Sequence, residues 1–270
     1  MPLFDFIKGK AMGVCSKMAL ARVLARPYEP STLPMKPESW PSSLQDPTNY
    51  YNNCVRYFHQ EAPSYLKDHR RYFTQHQRGF GEDAFHVMWL GLLANTKPRS
   101  FLEIGVFRGQ TLSLISLFSQ QAGYPCLVCG ISPFSSVGDS VSKYSDGVNY
   151  LEDTLKNFSH FGLPKPELVR GLSTDPGVWD MVGQQRWEVI YIDGNHDYEI
   201  AKSDVLHASK ILSPGGTMVL DDSGLYTSYQ APPFASRGHP GPSRLANEMG
   251  ALGFVEVLQV GHNRIFRKKS

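Results

Sequence analysis

The stretch FLEIGVFRG, residues 101–109, decides the fold of this chain. The apolar run at 100–104 predicts a short buried strand, and Gly105 and Gly109 predict a tight turn from that strand into a helix over 111–120. A glycine-bearing turn between a buried strand and a helix is typical of proteins that bind a ligand at the carboxyl end of a parallel sheet.

The same strand-and-helix order repeats on both sides of this stretch. Apolar runs predict further strands at 127–131, 167–170, 187–192 and 217–220, and amphipathic runs predict helices at 82–93, 148–161 and 201–212. Pro214-Gly215-Gly216 is expected to end the last of these helices. Apolar strands that alternate with helices specify a parallel sheet covered on both faces.

The C-terminal end of the chain departs from this order. Apolar runs at 254–258 and 264–267 flank Gly261-His262-Asn263, a turn so short that the two strands must pair antiparallel. The predicted fold is therefore α/β, with a Rossmann-like seven-stranded mostly parallel sheet, a C-terminal antiparallel hairpin and an N-terminal helical segment.

Composition sets limits on the class of protein. The 270 residues suit one α/β domain with an added segment, and we expect an N-terminal extension at 1–78 and the sheet domain at 79–270. The 27 basic and 25 acidic residues nearly balance, so no nucleic-acid partner is indicated. No run is apolar enough to cross a membrane, and four cysteines without a paired framework fit a cytoplasmic protein.

The N-terminal extension divides into three parts. Residues 1–30 are basic with apolar residues at helical spacing, which predicts a docking helix or a subunit contact of a homo-oligomer, with a transit peptide as the alternative. Residues 26–47, rich in proline and serine, are interpreted as an irregular linker. Residues 50–77 are expected to form one or two helices, either over the mouth of a site or packed on the surface.

The first loop of the sheet is a candidate cofactor site. It lacks the middle glycine that a pyrophosphate requires, whereas S-adenosyl-L-methionine has no phosphate and carries positive charge that suits the carboxylate of Glu103. Glu103, Gly105, Gly109 and Thr111 are therefore candidate contacts of that cofactor, together with Asp193 after the fourth predicted strand. The alternative is a plain strand-to-helix turn.

Two serines follow the next strands and extend this site. Ser132 stands where many related sheets place an acid that binds the ribose hydroxyls. Ser173 follows the third strand and is a candidate contact of the adenine ring, or else a hydroxyl that caps the next helix near Asp175.

Acidic side chains follow the fourth and fifth strands. Neighbouring parallel strands lie about 4.8 Å apart, so Asp193, Asp221 and Asp222 are expected to converge at one edge of the sheet. Carboxylates at such short separations repel each other unless a proton or a cation lies among them. A cluster of oxygen ligands suits Mg²⁺. The alternative is that Asp221 and Asp222 cap turns and never meet Asp193.

His196, in the loop after Asp193, is the candidate general base. The pKa of a histidine ordinarily lies near neutral pH, so a histidine next to a metal-bound acceptor hydroxyl can take the proton of that hydroxyl. Asn195 and Asp197 compete for this role, but Asp197 is also explained as the N-cap of the next helix.

Taken together, these motifs resemble the metal-dependent sugar and natural-product O-methyltransferases of class I, a group that includes cephalosporin-hydroxylase-like proteins. The resemblance covers about residues 79–269. It rests on RGFGE at 78–82, FLEIGVFRG at 101–109, IDGNHDY at 192–198, LSPGG at 212–216 and the acid pair Asp221-Asp222.

The resemblance implies a reaction and its site residues. It implies methyl transfer from S-adenosyl-L-methionine to a hydroxyl of a small molecule, with Mg²⁺ held by Asp193, Asp221 and Asp222. Some members carry a catalytic aspartate where this chain has Asn195, so the role of base moves to His196.

Alternative interpretations stay open at this level. Residues 224–242 form either a lid over the acceptor or a long surface loop. The rival functions are a nicotinamide-dependent oxidoreductase and a non-catalytic S-adenosylmethionine-binding protein.

Overall fold

Seven strands form the single sheet of the computed structural model, which describes residues 3–75, 78–139, 141–142 and 144–269. The strands are β1 Ser100–Ile104, β2 Leu127–Ser132, β3 Glu167–Arg170, β4 Trp187–Ile192, β5 Leu212–Leu220, β6 Phe254–Val260 and β7 Asn263–Lys268. Their order is β3-β2-β1-β4-β5-β7-β6. Strands β1 to β5 pair parallel, and β7 pairs antiparallel with both β5 and β6. The predicted fold class is confirmed.

Helices cover both faces of the sheet. They are α1 Leu3–Leu24, α2 Trp40–Gln45, α3 Pro47–Gln60, α4 Ser64–Gln75, α5 Asp83–Thr96, α6 Gln110–Gln121, α7 Tyr150–His160, α8 Val178–Val182, α9 Tyr198–Ile211 and α10 Pro240–Glu248. One apolar core joins the sheet to α3, α5, α6 and α7. A second core on the opposite face joins it to α8, α9 and α10. Because every strand tip is held between two packed layers, the loops at those tips have fixed supports.

An irregular linker was predicted at 26–47, and this prediction is wrong for the second half of that segment. A short 3-10 turn, Pro37–Ser39, and α2 lie within it, and α3 begins at its last residue, Pro47. The prolines occupy first-turn positions, where a helix needs no N–H donor, so they start helices here and do not break them. Trp40 is buried and donates its indole N–H to the carbonyl of Pro34 (2.8 Å).

The junction between α9 and β5 also differs from the prediction. The helix ends at Ile211, before Pro214, and the strand starts at Leu212. Gly215 has a φ of +68°, and the pairing of β4 with β5 shifts register between Trp187 and Val189. The Pro-Gly-Gly sequence therefore forms an irregularity inside the strand.

Helices α2 and α3 of the N-terminal extension pack against the sheet domain. Helices α3 and α4 confirm the helices expected at 50–77, and Tyr50, Tyr51 and Phe58 on α3 belong to the core that includes β1 and β7. The division of the chain at residue 78 stays a prediction, as does a subunit contact through α1. Within the described part of the chain, no helix is long and apolar enough to cross a membrane.

Candidate active site

A cavity of about 180 Å³ lies at the carboxyl ends of strands β1 to β4. Gly105, Ser132 and Ser173, three of the predicted cofactor contacts, line it together with Phe107 and Tyr144. The other predicted contacts lie outside its walls: Glu103, Gly109, Thr111 and Asp193. The predicted binding loop therefore borders a cavity at the edge of the sheet, although only part of the predicted residue set reaches the cavity itself.

Gly105 fits this turn because of its backbone and its neighbours. Its φ is +102°, a region that favours glycine. A Cβ at this position would lie 1.9 Å from the carbonyl oxygen of Asp193 and 2.6 Å from the Cα of Gly194. The absence of a side chain therefore lets the β1 loop and the β4 loop touch at the floor of the cavity.

Glu103 lies beneath that loop and is only 3% exposed. Burial raises the pKa of its carboxyl to about 8. A backbone hydrogen bond from Leu112 lowers this pKa, but it offsets the effect of burial only in part. A carboxyl in this position would be stabilised as a carboxylate by a nearby cationic group.

The predicted acids meet at the tips of β4 and β5. Burial and the carboxylate of Asp221, with which it shares a hydrogen bond, hold the pKa of Asp193 well above its ordinary value. Burial acts in the same direction on Asp221, but the charge of His262 outweighs it and holds the pKa of Asp221 well below its usual range. Asp193 therefore keeps a proton and Asp221 is ionised when no cation is present.

His196 stands between two carboxylates. Its Nε2 is 2.8 Å from Oδ2 of Asp222, and its Nδ1 is 2.6 Å from Oδ2 of Asp139. Burial lowers the pKa of the ring, but the hydrogen bonds to Asp222 and Asp139 outweigh burial and raise the pKa to about 9. Asp197 caps α9 by accepting from Glu199 N (2.9 Å), as the alternative interpretation expected.

Asp139 and His262 were not predicted as site residues. Asp139 lies in the loop after β2, and its carboxylate accepts hydrogen bonds from the backbone of Val141, Ser142 and His196. These bonds outweigh burial and hold the pKa of Asp139 well below its ordinary value. Its only sequence signal was an acid in a polar loop.

His262 lies in the turn between β6 and β7. Its Nε2 is 3.2 Å from Oδ1 of Asp221 and 3.9 Å from Oδ1 of Asp222. Burial lowers the pKa of this ring, but Asp221 outweighs it and the pKa rises to about 10. The sequence marked this residue only as part of a hairpin turn.

The donor set suits a divalent cation. Among the described residues, two sets of three ligand atoms lie within 4.8 Å of one another, and both contain Asp222: one adds Asp221 and His262, and the other adds His196 and His239. Asp193 belongs to neither set and contacts Asp221. Oδ1 of Asp221 is buried and, within the described chain, has no hydrogen-bond partner. The charge of His262, 3.2 Å away, stabilises this carboxylate oxygen, and a bound cation would do the same.

The segment at 224–242 is attached to the rest of the molecule at several points. Ser236 N donates to Oε1 of Glu82 (3.0 Å), and Gln230 N donates to Oγ1 of Thr48 (2.8 Å). His239 N donates to the carbonyl of Asp222 (2.8 Å). The last residues of the segment belong to α10, which begins at Pro240, so the predicted loop is shorter than expected. Opening of this segment as a lid stays a prediction.

Asp204 is a buried acid on α9 that gives a test of stability. It is 1% exposed on α9, and burial raises the pKa of its carboxyl to about 7, which the hydroxyl of Ser173 offsets only in part. The folded protein therefore holds a proton that the unfolded chain releases near pH 4, so this group lowers stability as pH rises from about 4 to 7. We expect Asp204→Asn to raise the free energy of unfolding at pH 8 by about 1 to 3 kcal/mol.

Urea unfolding at pH 5 and pH 8 measures this difference. The gain should be smaller at pH 5, where wild-type Asp204 is still protonated in the folded protein. Asp180→Asn, which changes an exposed aspartate on α8, is the matched control and should give no gain at either pH. An equal gain for Asp204→Asn at both pH values would show that the carboxyl does not titrate in this range.

Comparisons with known proteins agree with this fold. Residues 102–223 match a family model described as a methyltransferase domain. A search of curated proteins gave no match. The chain is similar to the O-methyltransferase from Bacillus cereus in complex with SAH, at 14% identity over 87% of this chain and 100% of that chain, with a TM-score of 0.53. It is also similar to an SAH-bound methyltransferase from Podospora anserina, at 13% identity over 79% of this chain and 92% of that chain, with a TM-score of 0.54.

At these identities the two structures establish the fold, and the family model identifies the domain. Residues 102–223 form a methyltransferase domain, and the prediction of a class I methyltransferase is confirmed. The donor, the acceptor and the cation are treated below as proposals.

Proposed function

We propose that this chain transfers the methyl group of S-adenosyl-L-methionine to a hydroxyl oxygen of a small molecule, with a divalent cation bound beside the donor. The observation that carries the proposal is the loop at 193–196. Gly194 and Asn195 line the cavity, while Asp193 and His196 belong to the acid and histidine cluster. One short loop therefore separates the cavity from the cluster of acids and histidines that would bind the cation and accept the proton.

The cavity supports the donor assignment. S-adenosyl-L-methionine supplies a methyl group on a positively charged sulfur. Ser132 and Ser173 line the cavity near the ends of β2 and β3, where their hydroxyls are suited to the ribose and the adenine. Glu103, Gly109 and Thr111 do not line the cavity, but Gly109, at a φ of +77° just before α6, allows the turn into that helix.

The cluster supports the acceptor assignment. Asp193, Asp221 and Asp222 would hold the cation, predicted as Mg²⁺, which would lower the pKa of a hydroxyl bound next to it. Asp139 accepts from Nδ1 of His196 and so turns Nε2 towards the cluster. His196 then takes the proton of the acceptor hydroxyl at Nε2. We expect the attached segment at 224–239 to limit access of water to this point.

Methyl transfer from labelled S-adenosyl-L-methionine into polyhydroxylated sugars and phenols tests the proposal. Label should appear in an ether product, and activity should disappear after chelation and return when a divalent cation is added. Activity that survives exhaustive chelation would remove the cation from the proposal. Tight binding of a nicotinamide cofactor without binding of the methyl donor would favour an oxidoreductase, and donor binding without transfer to any acceptor would favour a non-catalytic protein.

Asp139 offers a sharper test of the proton path. Replacing it with asparagine removes one of the two carboxylates that raise the pKa of His196. We expect the rate of methyl transfer in wild type to rise with pH until His196 is neutral, at or below about pH 9. In Asp139→Asn this rise should move to lower pH, and the maximal kcat should fall by about 10- to 100-fold because the ring is less well oriented.

Asp146→Asn is the matched control, since Asp146 lies exposed in the same loop. It should leave both the pH profile and kcat unchanged. An unshifted profile in Asp139→Asn would show that His196 is not the group that titrates.

The remaining expectations belong to the same proposal. The acceptor class is a sugar or another natural product. A cytoplasmic location and a homo-oligomer built through α1 stay predictions that purification and solution scattering can test.

A further inference from the structure

His262 gives the acid cluster a nitrogen donor with its own structural support. The ring is 6% exposed and packs edge-on against Phe85, with 4.7 Å between ring centroids. The carbonyl of His262 accepts from the backbone N (2.8 Å) and the hydroxyl (3.0 Å) of Ser223. Ser223 directly follows Asp222, so the turn that carries the imidazole is bonded to the strand end that carries the acids.

A backbone carbonyl sets the orientation of the His262 ring. Nδ1 lies 3.2 Å from the carbonyl oxygen of Ser236, which can only accept, so Nδ1 carries the hydrogen. Nε2 then faces Asp221 and Asp222, and a cation that binds there displaces the proton that these acids favour on Nε2. A histidine whose second nitrogen donates to a carbonyl is the common arrangement of a metal ligand in proteins.

The distance from His262 to Asp221 agrees with a shared ion, and the distance to Asp222 is slightly longer than such a pair requires. Two atoms that each lie about 2.1 Å from one first-row ion are about 3 to 3.5 Å apart. Nε2 of His262 is 3.2 Å from Oδ1 of Asp221 and 3.9 Å from Oδ1 of Asp222. Oδ1 of Asp221 is buried, and its charged neighbour at this distance is Nε2 of His262, so the two atoms face each other across the position that an ion would take.

We propose that His262 is a ligand of the cation site and that the site prefers a first-row transition ion such as Zn²⁺ or Co²⁺ to Mg²⁺. The inference rests on the proposed function, because it concerns the cation invoked there. Mg²⁺ favours oxygen ligands, whereas an imidazole nitrogen favours the later first-row ions. Replacing one oxygen of the expected set with nitrogen therefore changes the selectivity of the site.

The other mixed set, His196 with Asp222 and His239, offers a competing position. The rings of His196 and His239 lie 4.3 Å apart, and both face Asp222. His196 is assigned to proton transfer above, so the two positions predict different consequences when each histidine is changed.

Calorimetric titration of chelator-treated full-length protein with Zn²⁺ and with Mg²⁺ tests the preference, and X-ray absorption at the zinc edge detects the imidazole. We expect one Zn²⁺ per chain, bound more tightly than Mg²⁺ by about 10- to 100-fold, with an imidazole signature in the absorption spectrum. His262→Gln should weaken Zn²⁺ binding by about 10- to 100-fold and remove that signature. His262→Asp, which restores an oxygen ligand, should move the preference back towards Mg²⁺.

His239→Gln is the matched control and should leave Zn²⁺ affinity unchanged. A loss of Zn²⁺ in His239→Gln with no loss in His262→Gln would overturn the assignment in favour of the competing set. Equal affinity for Zn²⁺ and Mg²⁺, or no imidazole signature in the wild-type protein, would also overturn it. The wild-type spectrum decides the matter even where the His262 variants fail to fold.

Donor binding separates this inference from the proposed function. S-adenosyl-L-methionine that binds to a protein without imidazole ligation contradicts the inference and leaves the methyltransferase proposal standing. Zinc bound through an imidazole in a protein that does not bind the donor supports the inference and contradicts the proposed function.

Discussion

Replacing His196 with glutamine is expected to lower kcat for methyl transfer by about 10²- to 10⁴-fold, the usual contribution of a general base. Glutamine keeps a polar side chain that can hydrogen-bond to Asp139 or Asp222, but it cannot take a proton. Binding of the methyl donor should not change, because His196 lies outside the cavity walls. Steady-state kinetics together with calorimetry of donor binding measures both quantities.

His207→Gln makes the same exchange at a control position. His207 lies on α9 and stacks on Trp179, with 5.1 Å between ring centroids, away from the acid cluster. Its kcat should equal that of wild type. A His196→Gln enzyme that retains wild-type kcat would assign the base to another group and remove the proton path proposed here.

The Gly105→Ala variant is expected to lose measurable donor binding and about 3 kcal/mol or more of stability. The added Cβ would meet the carbonyl group of Asp193, with separations of 1.9 Å to the oxygen and 2.4 Å to the carbon. Both contacts are with backbone, so the loops after β1 and β4 must move apart. Those loops form the cavity floor and position Asp193, so binding and the acid cluster should fail together. Calorimetry with the donor and thermal unfolding measure the two effects.

Gly162→Ala is the control that separates the cost of backbone strain from the cost of a steric clash with neighbouring atoms. Gly162 has a φ of +63° after α7, and nothing lies within 4 Å of a Cβ added there. This control should lose only about 1 to 2 kcal/mol from backbone strain and keep full donor affinity. Equal losses in both variants would mean that the contact between the two loops does not matter for binding.

The sheet could be predicted from sequence because its signals are local. Apolar runs with β-branched residues give β1, β3 and β4 the bounds found in the structure, and the short turn after β6 allows only antiparallel pairing with β7. Helices α2, α8 and α10 were missed. Each is short, and α2 and α10 have proline in the first turn, which resembles a loop signal when burial is unknown.

The positions of Asp193, Asp221 and Asp222 could be predicted as well as the strands could, because these acids directly follow strand ends. The structure brings Asp193 to Asp221 and places Asp222 beside His196, while the roles of these residues stay proposals. Asp139 and His262 could not be found from the sequence in this way. Asp139 reaches His196 across 57 positions, and His262 meets Asp221 only because β7 pairs next to β5. Contacts of that kind depend on strand order and loop path, which local patterns do not specify.

Calorimetric titration of the purified chain with S-adenosyl-L-methionine and, separately, with a nicotinamide dinucleotide tests the central claim most directly. The structure predicts one donor molecule bound per chain and no binding of the dinucleotide, because the loop at 105–109 lacks the middle glycine that a pyrophosphate requires. Absence of heat with S-adenosyl-L-methionine, or preferential binding of the dinucleotide, would contradict the account.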